Sequence, residues 1–463
     1  MKRLVAILPL AALGGCMIAE PPAPPLAGVV PSPEWRTPAR NSAPIMASWW
    51  QGYGDPVLTA LVERALKNNN DIAIAAARLR EAEATERQAR AALFPSVSAG
   101  AAGAHSRSLT AFGTESVVSS IEPQAQVSWQ IDLFGRLADL RGAARARYLA
   151  SKAAHDAAAL SVSAAVASSY VALRGLDAQL QVARDTLVSR SEALRYAQSR
   201  AGAGYTSDLE LTQAQSEYAA TAAIVPQIER AIASQENGLS VLIGDTPRAI
   251  ERGAALAALR LPPVPAGLPS DLLRRRPDIA QAEYVLAASD RSLASQRKAY
   301  LPNISLTGTG GVLFATGVSE GVELFSIGGS ILAPIFDAGR ARAIADSAAA
   351  QRDQAAFAYR GIALNAFQEV ETALAALDRL TAEQAQLRAQ REALAGVLKH
   401  ATNRYRAGYA DYLTQLDAQR QLLAAERALI QNEVDRLAAS ITLYRAMGGG
   451  WSGISRQGTA AAP

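Results

Sequence analysis

The sequence repeats itself, and this duplication restricts the possible folds more than any other feature of the chain. The stretch NDIAIAAARLREAEATERQARAALFPSVS aligns without gaps with PDIAQAEYVLAASDRSLASQRKAYLPNIS, about 207 residues further on. Two further matches follow in the same order and about 204 residues apart, DLFGR with FDAGR and AGYTSDLELTQAQ with AGYADYLTQLDAQ. Alanine-rich helices can produce one such match by chance, but three in one order indicate two copies of one structural unit.

Each copy begins with a helix and continues into two strands. In the first copy a helix is predicted over 71–92, and Pro95 prevents it from continuing. Strands follow at about 93–113 and 117–134. The second of these strands alternates between an apolar and a polar face, with Val127, Trp129, Ile131 and Leu133 against Gln126, Ser128, Gln130 and Asp132. In the second copy the apolar residues Ile304, Leu306, Phe325, Ile327 and Ile331 alternate with Ser305, Thr307, Ser326, Gly328 and Ser330.

Two kinds of structure produce this alternation. A water-filled transmembrane barrel has apolar side chains outside and polar ones inside, and a half-buried soluble sheet shows the same period of two. The strands alone leave both interpretations open. Four strands are too few for a transmembrane barrel, whose smallest examples have eight, and a membrane does not tolerate open sheet edges. A barrel would therefore require several chains, each contributing four strands.

Two very long helices follow the strands. No proline occurs from Gly135 to about Ala201 or from Gly339 to about Ala407, and helices of about 65 residues would be about 100 Å long. Such lengths without internal caps are typical of coiled coils. Returning helices at about 207–243 and 411–446 would complete two helical hairpins, with turns at 202–205 and 408–409.

The composition suits packed helices better than one thick core. The chain has 463 residues and is 49% hydrophobic but only 6% aromatic, and much of its apolar content is alanine. The net charge of +4 comes mainly from scattered arginines. A nucleic-acid surface requires clustered basic residues, so we expect no nucleic-acid partner.

The N-terminus MKRLVAILPLAALGGC predicts an export signal followed by a lipid anchor. Lys2 and Arg3 precede an apolar run that is too short to cross a bilayer. The sequence Leu13-Gly14-Gly15-Cys16 resembles the bacterial lipobox, in which cleavage frees the cysteine for acylation, palmitate included. The alternative is a free thiol behind an ordinary signal. Met17 occupies the position where an aspartate retains such lipoproteins in the inner membrane, so we expect lipidation at Cys16 and an outer-membrane destination.

The rest of the chain predicts neither a transmembrane helix nor a catalytic or metal site. No later stretch has about 18 uninterrupted apolar residues. The three histidines His105, His155 and His400 lie far apart, and the chain has one cysteine. Ser295 and Lys298 have the SxxK spacing of penicillin-binding enzymes, but they lie in a repeat helix and no KTG motif accompanies them. We therefore expect no enzymatic activity, no cofactor and no metal.

Taken together, these features show a resemblance to a known family. The sequence resembles the TolC family of outer-membrane efflux factors, and specifically the OprM-like (NodT-type) lipoprotein branch that serves resistance-nodulation-division (RND) efflux systems. The resemblance covers nearly the whole mature chain and is carried by LRRRPDIAQAE, LFPSVS, YLPNIS, WQIDLFGR, APIFDAGR and RYRAGYADYLTQLDAQR. The RRPDI motif together with YLTQLDAQR is more specific than the strands.

This resemblance implies an α+β membrane protein that forms a homotrimer. Each protomer would contribute four strands to a twelve-stranded transmembrane β-barrel and long coiled-coil helical hairpins to a periplasmic α-barrel. The protein would be lipid-anchored in the outer membrane and contact its lipid, extend into the periplasm and conduct drugs or other small molecules passively to the exterior. An inner-membrane RND-type pump and a periplasmic adaptor (membrane fusion protein) would be its partners. A type I protein secretion channel and a structural envelope coiled-coil lipoprotein are the alternatives, although the second does not explain the strands.

The resemblance also implies a gate at the second hairpin tip. Leu413 would form an apolar constriction, Asp417 a ring of carboxylates, and Arg420 with Tyr405 the links that hold neighbouring helices closed. TolC has two aspartates here one helical turn apart, whereas Thr414 occupies the first of these places in this chain. By spacing alone, Leu413 and Asp417 share a helix face, and Asp417 can pair with Arg420. An ordinary solvated ion pair on a coiled coil has the same spacing.

The turns of the two hairpins are the predicted contact with the adaptor. The residues concerned are Gly202, Gly204, Tyr205, Ser207, Gly408 and Tyr409. The glycines suit turns because they accept positive φ without strain. A second interpretation of the tyrosines is that Tyr205, Tyr405, Tyr409 and Tyr412 pack the turns internally.

The predicted order of segments follows from these elements. It runs signal peptide 1–15, anchor and proline-rich leash 16–54, first repeat helix 55–92, first β-hairpin 93–134, first long helical hairpin 135–244, equatorial connector 245–276, second repeat helix 277–299, second β-hairpin 300–338, second long helical hairpin 339–447 and flexible tail 448–463.

Overall fold

The computed structural model describes residues 27–37, 46–263 and 267–451. Cys16, the predicted signal peptide, part of the leash and the end of the tail lie outside the described residues. The described chain contains eight α-helices and four strands. They are α1 Pro56–Asn68, α2 Asn70–Ala91, β1 Ser96–Leu109, β2 Glu115–Ile131, α3 Arg136–Gly202, α4 Asp208–Leu242, α5 Pro269–Arg275, α6 Pro277–Lys298, β3 Asn303–Ala315, β4 Val322–Leu332, α7 Arg340–Arg406 and α8 Tyr412–Ala446.

The two sequence copies fold into matching elements. Helices α2 and α6 both have 22 residues, α3 and α7 both have 67, and α4 and α8 both have 35. The two longest helices also start alike. The carboxylate of Asp132 accepts the N–H of Ala138 at 2.7 Å, and that of Asp337 accepts the N–H of Ala341 at 2.7 Å. The duplication therefore extends to how the long helices begin.

The described chain forms two compact units. The sheet unit comprises Ala77–Lys152 and Gln281–Gly361, together with Ala27 and Gly28. The hairpin unit comprises Val29–Ala76, Ala153–Ala280 and the chain from Ile362 onward. All four strands belong to the sheet unit, and the turns of both helical hairpins belong to the hairpin unit.

The four strands form one antiparallel sheet in the order β1-β2-β3-β4. In its register Val127 lies between Val97 and Gly308, and Trp129 lies opposite Leu306. Because side chains alternate along every strand, this register places most of the large apolar residues of the four strands on one face. That face carries Val97, Val117, Ile121, Val127, Trp129, Ile304, Leu306, Phe314, Phe325, Ile327 and Ile331, and the opposite face carries Ser98, Gln124, Gln126, Ser128, Ser305, Thr307, Thr309, Ser326 and Ser330. The alternation predicted from the sequence is confirmed.

The apolar face of the sheet is exposed in the protomer. Phe325 and Ile327 on β4 are 86% and 88% exposed. Within the described residues, β1 and β4 each have a strand on one side only, so both outer edges of the sheet are open. Open edges and a broad exposed apolar face are liabilities in water, and open edges are not tolerated in hydrocarbon. The sheet therefore requires a partner outside the protomer.

In the sheet unit, α6 packs on the start of α3 through polar contacts. The hydroxyl of Ser295 donates to the carbonyl of Arg136 at 3.0 Å, and the Lys298 ammonium donates to the Asp139 carboxylate at 2.6 Å. Arg291 pairs with the same carboxylate at 3.1 Å. The SxxK spacing of Ser295 and Lys298 thus corresponds to two helix-packing contacts.

A buried carboxylate organises the core of the hairpin unit. Asp55 is 1% exposed, caps α1 by accepting the N–H of Val57 at 2.8 Å, and also accepts the Tyr170 hydroxyl at 2.8 Å and the N–H of Ala254 at 2.9 Å. A Cβ at Gly253 would lie 2.2 Å from this carboxylate, so the close approach requires glycine. The surrounding core includes Trp49, Tyr53, Leu58, Val62, Val166, Leu239, Leu437 and Ile441. The prediction of a leash over 16–54 is therefore wrong at its end, because the apolar rings of Trp49 and Tyr53 are buried. Asp55 thereby joins α1, α3 and the connector.

The RRPDI motif forms a buried ion-pair cluster. Arg276 is 8% exposed, and its guanidinium donates to both carboxylate oxygens of Asp278 at 3.0 and 2.7 Å, to Glu369 at 2.9 Å and to the carbonyl of Ala446 at 3.0 Å. Burial lowers the pKa of Arg276, but the hydrogen bonds and charges of Asp278 and Glu369 outweigh this effect and raise the pKa. The motif therefore ties the start of α6 to α7 and to the end of α8.

One described helix, α3, contains an 18-residue stretch that is long and apolar enough to cross a membrane, where the sequence predicted none. The prediction counted uninterrupted apolar residues, whereas an average over the stretch tolerates the polar residues between alanines. Of that stretch, 44% is buried inside the protein, and the core helix of a soluble protein has the same properties. Length and composition alone are therefore weak evidence for a membrane-spanning helix.

We expect Asp55→Ala to destabilise the protein by about 3 kcal/mol or more. The substitution removes a helix cap and leaves the Tyr170 hydroxyl and the Ala254 N–H buried without an acceptor, losses of about 1 to 3 kcal/mol each. Thermal unfolding followed by circular dichroism should show a lower midpoint. Asp346→Ala is the control, because it removes a carboxylate whose side chain is 75% exposed. Equal midpoints for the two variants would contradict the role assigned to Asp55.

Candidate functional site

The two hairpin turns are built in the same way. Gly204 and Gly408 have φ values of +74° and +76°, the left-handed conformation that glycine adopts without strain. In the first turn the N–H of Tyr205 donates to the carbonyl of Arg200 at 2.8 Å, and the Arg200 guanidinium donates back to the Tyr205 carbonyl at 3.1 Å. Tyr409 makes the same two bonds with the arginine five residues before it, at 2.8 and 3.3 Å. Both turns are therefore closed by their own backbone and one arginine.

The returning helices begin with capping residues directly after the turns. Ser207 caps α4 by accepting the N–H of Glu210 at 3.4 Å, and Asp411 caps α8 by accepting the N–H of Thr414 at 2.9 Å. Hydrogen bonds from the hydroxyl and backbone of Thr414 lower the pKa of Asp411. Gly202 is the last residue of α3. Thr414, at the place where TolC has an aspartate, thus belongs to the cap of α8.

The four tip tyrosines divide into an exposed pair and a buried pair. Tyr205 and Tyr409, at the turns, are 76% and 79% exposed, whereas Tyr405 and Tyr412 are 5% and 3% exposed. The Tyr405 ring lies 5.8 Å from that of Tyr196 and 5.7 Å from that of Tyr412, centre to centre. The same apolar cluster includes Ala197, Ala214 and Leu416. Internal packing therefore accounts for the buried pair, and the exposed pair is free of it.

Tyr405 links the two hairpins. Its hydroxyl, on α7, donates to the carboxylate of Glu210 on α4. Burial raises the pKa of Tyr405, and the hydrogen bond to Glu210 raises it further. The hydroxyl therefore keeps its proton and acts as a donor at neutral pH. The guanidinium of Arg200 lies 5.7 Å from the centre of the Tyr405 ring, within the range of a cation–π contact.

A second link joins three helices through one carboxylate. Glu217 on α4 pairs with Arg190 on α3 at 3.4 Å and with Arg420 on α8, and its side chain is 13% exposed. Arg190 is only 2% exposed, and it also donates to the side-chain carbonyl of Gln419 on α8. Burial lowers the pKa of Arg190, and the Glu217 charge opposes that effect. A buried cation is thus held by partners from both hairpins.

Within the protomer, Arg420 pairs with a different carboxylate from the one that its spacing allows. Arg420 pairs with Glu217 rather than with Asp417, whose carboxylate accepts a hydrogen bond from the Gln421 amide at 2.6 Å. Coulomb attraction is stronger where water is partly excluded, and Glu217 is the more buried of the two carboxylates. Arg420 consequently belongs to the link between hairpins, and the Asp417 carboxylate is left on the surface.

Leu413 and Asp417 share an exposed face of α8, as their spacing predicts. Leu413 is 53% exposed and Asp417 is also exposed. About 100° around the helix, Tyr412 and Leu416 are buried in the apolar cluster of the tips. The buried face fixes the rotation of α8 about its axis, so Leu413 and Asp417 point away from the other helices of the protomer. An apolar group and a carboxylate placed in this way can act on ions or molecules that pass the tip.

Four residues of these links are not among those predicted from the sequence. Glu210 stands three residues after the cap Ser207, which is the spacing of a capping box, so the sequence carried a signal for it. In the structure Glu210 instead accepts hydrogen bonds from Tyr405 and Thr206. The other missed residues are Arg190, Glu217 and Gln419. They carry no local signal, because their pairing depends on which helices become neighbours.

The described residues contain no group of three or more His, Cys, Asp or Glu side chains that could hold a metal ion. His105 forms a hydrogen bond of 2.8 Å with Ser119, and His155 lies 3.3 Å from the carboxylate of Asp156. Neither histidine lies at the hairpin turns.

We expect Glu217→Gln to loosen the tips. The substitution leaves the Arg190 guanidinium buried without a countercharge, and breaking a buried ion pair from one side costs about 3 to 5 kcal/mol. Amide hydrogen exchange in the peptides around 190–217 and 405–420 should therefore accelerate by about two orders of magnitude or more.

Glu229→Gln is the matched control for this experiment. Glu229 lies on the same helix and pairs with Arg184 at 2.8 Å, but both side chains are about half exposed, so the loss should be small. Similar exchange rates at the tips in the two variants would show that the Glu217 network does not hold them.

The chain matches a known protein family over most of its length. The sequence profile of the family described as "Outer membrane efflux protein" matches residues 61–245 and 268–449, which include both copies of the repeat.

Relatives match over nearly the full length of the chain. The toluene efflux pump outer membrane protein TtgC of Pseudomonas putida is 35% identical, over 95% of this chain and 93% of its own. The pyoverdine export outer membrane protein OpmQ of Pseudomonas aeruginosa is 33% identical over 99% of both chains. The open-state structure of the MtrE outer membrane channel of Neisseria gonorrhoeae aligns with a TM-score of 0.79 and 29% identity, over 93% of this chain and 98% of its own. This chain belongs to the outer membrane efflux protein family.

Proposed function

We propose that this protein is the outer-membrane exit channel of a tripartite efflux pump. It conducts drugs or other small molecules passively to the exterior and is gated at its periplasmic helix tips. Two relatives of similar identity are named for different cargo, toluene for TtgC and pyoverdine for OpmQ. Neither is named for protein secretion, which favours a small-molecule channel over a type I secretion channel. The difference in cargo supports a duct whose substrate is selected by its pump.

The observation that carries this proposal is the sheet with one polar and one apolar face. Its strands of 14, 17, 13 and 11 residues meet the length of about 9 to 11 residues that a tilted strand needs to cross a bilayer. The apolar face would contact lipid and the polar face would line a water-filled lumen. A half-buried soluble sheet would instead need a covering layer over Phe325 and Ile327, and the described chain supplies none.

The open edges of the sheet are the reason to infer a homotrimer. Four strands are fewer than the eight of the smallest transmembrane barrels, and a barrel has no edges. Three copies would close twelve strands, with β4 of one protomer beside β1 of the next. The segments 93–134 and 300–338 would form this barrel, and the hairpins 135–244 and 339–447 of three copies would form the periplasmic α-barrel. Lipidation of Cys16 would add an anchor at the same membrane.

The gate would lie at the tip of the second hairpin. Leu413 and Asp417 would project towards the axis of the trimer, and Tyr405 and Arg420 would hold the tips closed through their bonds to α4. The Arg420 side chain is 57% exposed, unlike that of Arg190. An exposed ion pair is worth about 0.2 to 1 kcal/mol, so three copies of the Arg420–Glu217 pair contribute at most a few kcal/mol. Inverting a 1:99 population requires about 5.5 kcal/mol. Adaptor binding must therefore supply part of the free energy of opening.

Single-channel conductance in planar bilayers tests the channel and the gate together. Wild-type protein should show a small, largely closed conductance that prefers cations. Asp417→Ala should raise the open fraction several-fold and weaken the cation preference, because it removes three carboxylates from the narrowest point.

Gln213→Ala is the matched control, since Gln213 is the counterpart of Asp417 in the first copy and should change neither property. Equal conductance and selectivity in wild type and Asp417→Ala would remove Asp417 from the gate while leaving the channel intact. The absence of conductance from a folded oligomer would contradict the channel itself.

The hairpin turns are the proposed contact with the periplasmic adaptor. Tyr205 and Tyr409 are large aromatic side chains exposed on rigid turns, and such residues often dominate the free energy of an interface. Gly202, Gly204, Ser207 and Gly408 would shape the same surface. The adaptor would connect this surface to an inner-membrane RND-type pump.

We expect the double substitution Tyr205→Ser and Tyr409→Ser to reduce cross-linking to the cognate adaptor more than tenfold, since each exposed aromatic anchor contributes about 2 kcal/mol. Tyr218→Ser is the control, because Tyr218 is 37% exposed on α4 and lies away from the turn. Unchanged cross-linking of the double variant would exclude the turns as the adaptor contact.

A further inference from the structure

A cleft in the hairpin unit has no part in the proposed gate. Its volume is about 600 Å³, and it lies among α3, the connector between α4 and α5, α7 and α8. Clefts of about 300 to 1,000 Å³ accommodate drug-sized molecules. The residues that line it include neither the gate residues nor those at the hairpin turns.

The walls of the cleft are largely apolar. Val182 on α3, Leu256 in the connector, and Leu429 and Ile430 on α8 present aliphatic side chains to it. The Leu256 side chain is 5% exposed, and those of Val182, Leu429 and Ile430 are half-buried. The space exists because the lining residues between them are alanines, Ala178 on α3 and Ala255 and Ala257 in the connector. An apolar molecule of a few rings would therefore make van der Waals contacts with several walls of the cleft.

Among the described residues, each charged side chain at the cleft has an ion-pair partner, except that of Arg388. The Asp177 carboxylate accepts hydrogen bonds from Arg174 at 2.6 Å and from Arg252 at 3.0 Å. The Glu433 carboxylate pairs with Arg436 at 3.1 Å. Arg388 on α7 is exposed at the rim and has no hydrogen bond or ion pair with any described residue. A ligand would thus meet apolar walls and one unpaired guanidinium, which is a strong donor to sulfonate, sulfate or carboxylate oxygens.

We propose that this cleft binds a small amphipathic anion, with an aromatic or alkyl body against Leu256, Leu429 and Ile430 and an acidic group paired with Arg388. The bound molecule would touch α3 of one hairpin and α7 and α8 of the other. Its binding would therefore brace the two hairpins against each other. This site is independent of the exit-channel function and does not rest on it.

The probe for this site is 1-anilinonaphthalene-8-sulfonate, which combines fused aromatic rings with one sulfonate and brightens in apolar surroundings. Titration of the oligomer in lipid nanodiscs, with empty nanodiscs subtracted, should show saturable binding of one probe per protomer. Arg388→Gln should weaken this binding about tenfold, since the loss of one charge-assisted hydrogen bond costs about 1.4 kcal/mol. Ala178→Leu should abolish it by filling the cleft.

Arg379→Gln is the matched control, because Arg379 lies on the same helix with a side chain that is 85% exposed and does not line the cleft. It should bind the probe like wild type. Equal affinity in wild type, Arg388→Gln and Ala178→Leu would place the probe elsewhere, on lipid or on the apolar face of the sheet, and overturn the proposal. A lack of saturable binding by the folded oligomer would overturn it as well. If Ala178→Leu does not fold, Arg388→Gln against Arg379→Gln still decides the question.

Discussion

Backbone hydrogen bonding at the two sheet edges is the constraint on which the rest of this protein depends. In the described protomer, β1 and β4 each leave one row of N–H and C=O groups unpaired, beside a face of exposed aliphatic and aromatic side chains. The exposed apolar face is unfavourable in water, and the unpaired backbone groups of the edges are unfavourable in hydrocarbon. Only closure with further copies satisfies both conditions in a membrane. The duplication is consistent with this requirement, because two copies of a hairpin make a wider contribution to one barrel than a single hairpin would.

Burial divides the residues of the helix tips into a shielded link and an exposed surface. The Arg190 and Glu217 network and the Tyr405 bond to Glu210 lie between the hairpins and are shielded from water. Charged groups in such places cost several kcal/mol to separate. Leu413 and Asp417 lie on the exposed face of the same tip, where interactions are weak and can change with what approaches. The tip therefore combines a firm link within the protomer with a surface that a partner or a passing ion can influence.

Much of the fold could be predicted because it rests on periodicity within single segments. The alternation from Gln126 to Ile131 places side chains on two faces whatever lies beside the strand. The absence of proline from Gly135 to about Ala201 is compatible with one long helix. The turns could be predicted too, since Gly204 and Gly408 are needed where φ is positive.

What could not be predicted depends on neighbours that are distant in sequence. Arg420 has an acidic residue three positions before it, yet it pairs with Glu217, about 200 residues away, because α4 and α8 pack together. The division of the tyrosines into an exposed and a buried pair likewise follows from which helix face meets the other hairpin. Arg190, fully buried between the hairpins, looks in the sequence like any solvated helix arginine.

The closure of the sheet across neighbouring copies is the central claim, and edge-strand cross-linking tests it most directly. Cysteines would be introduced on the polar faces of β1 and β4, combining Ser98→Cys or Ala102→Cys with Ser326→Cys or Ser330→Cys, and treated with a short bifunctional thiol reagent in outer membranes. The account predicts that at least one combination yields covalent dimers and trimers and nothing larger, while Gln126→Cys on the inner strand β2 yields none. The absence of cross-links from every combination in folded protein, or a ladder that continues beyond the trimer, would contradict it.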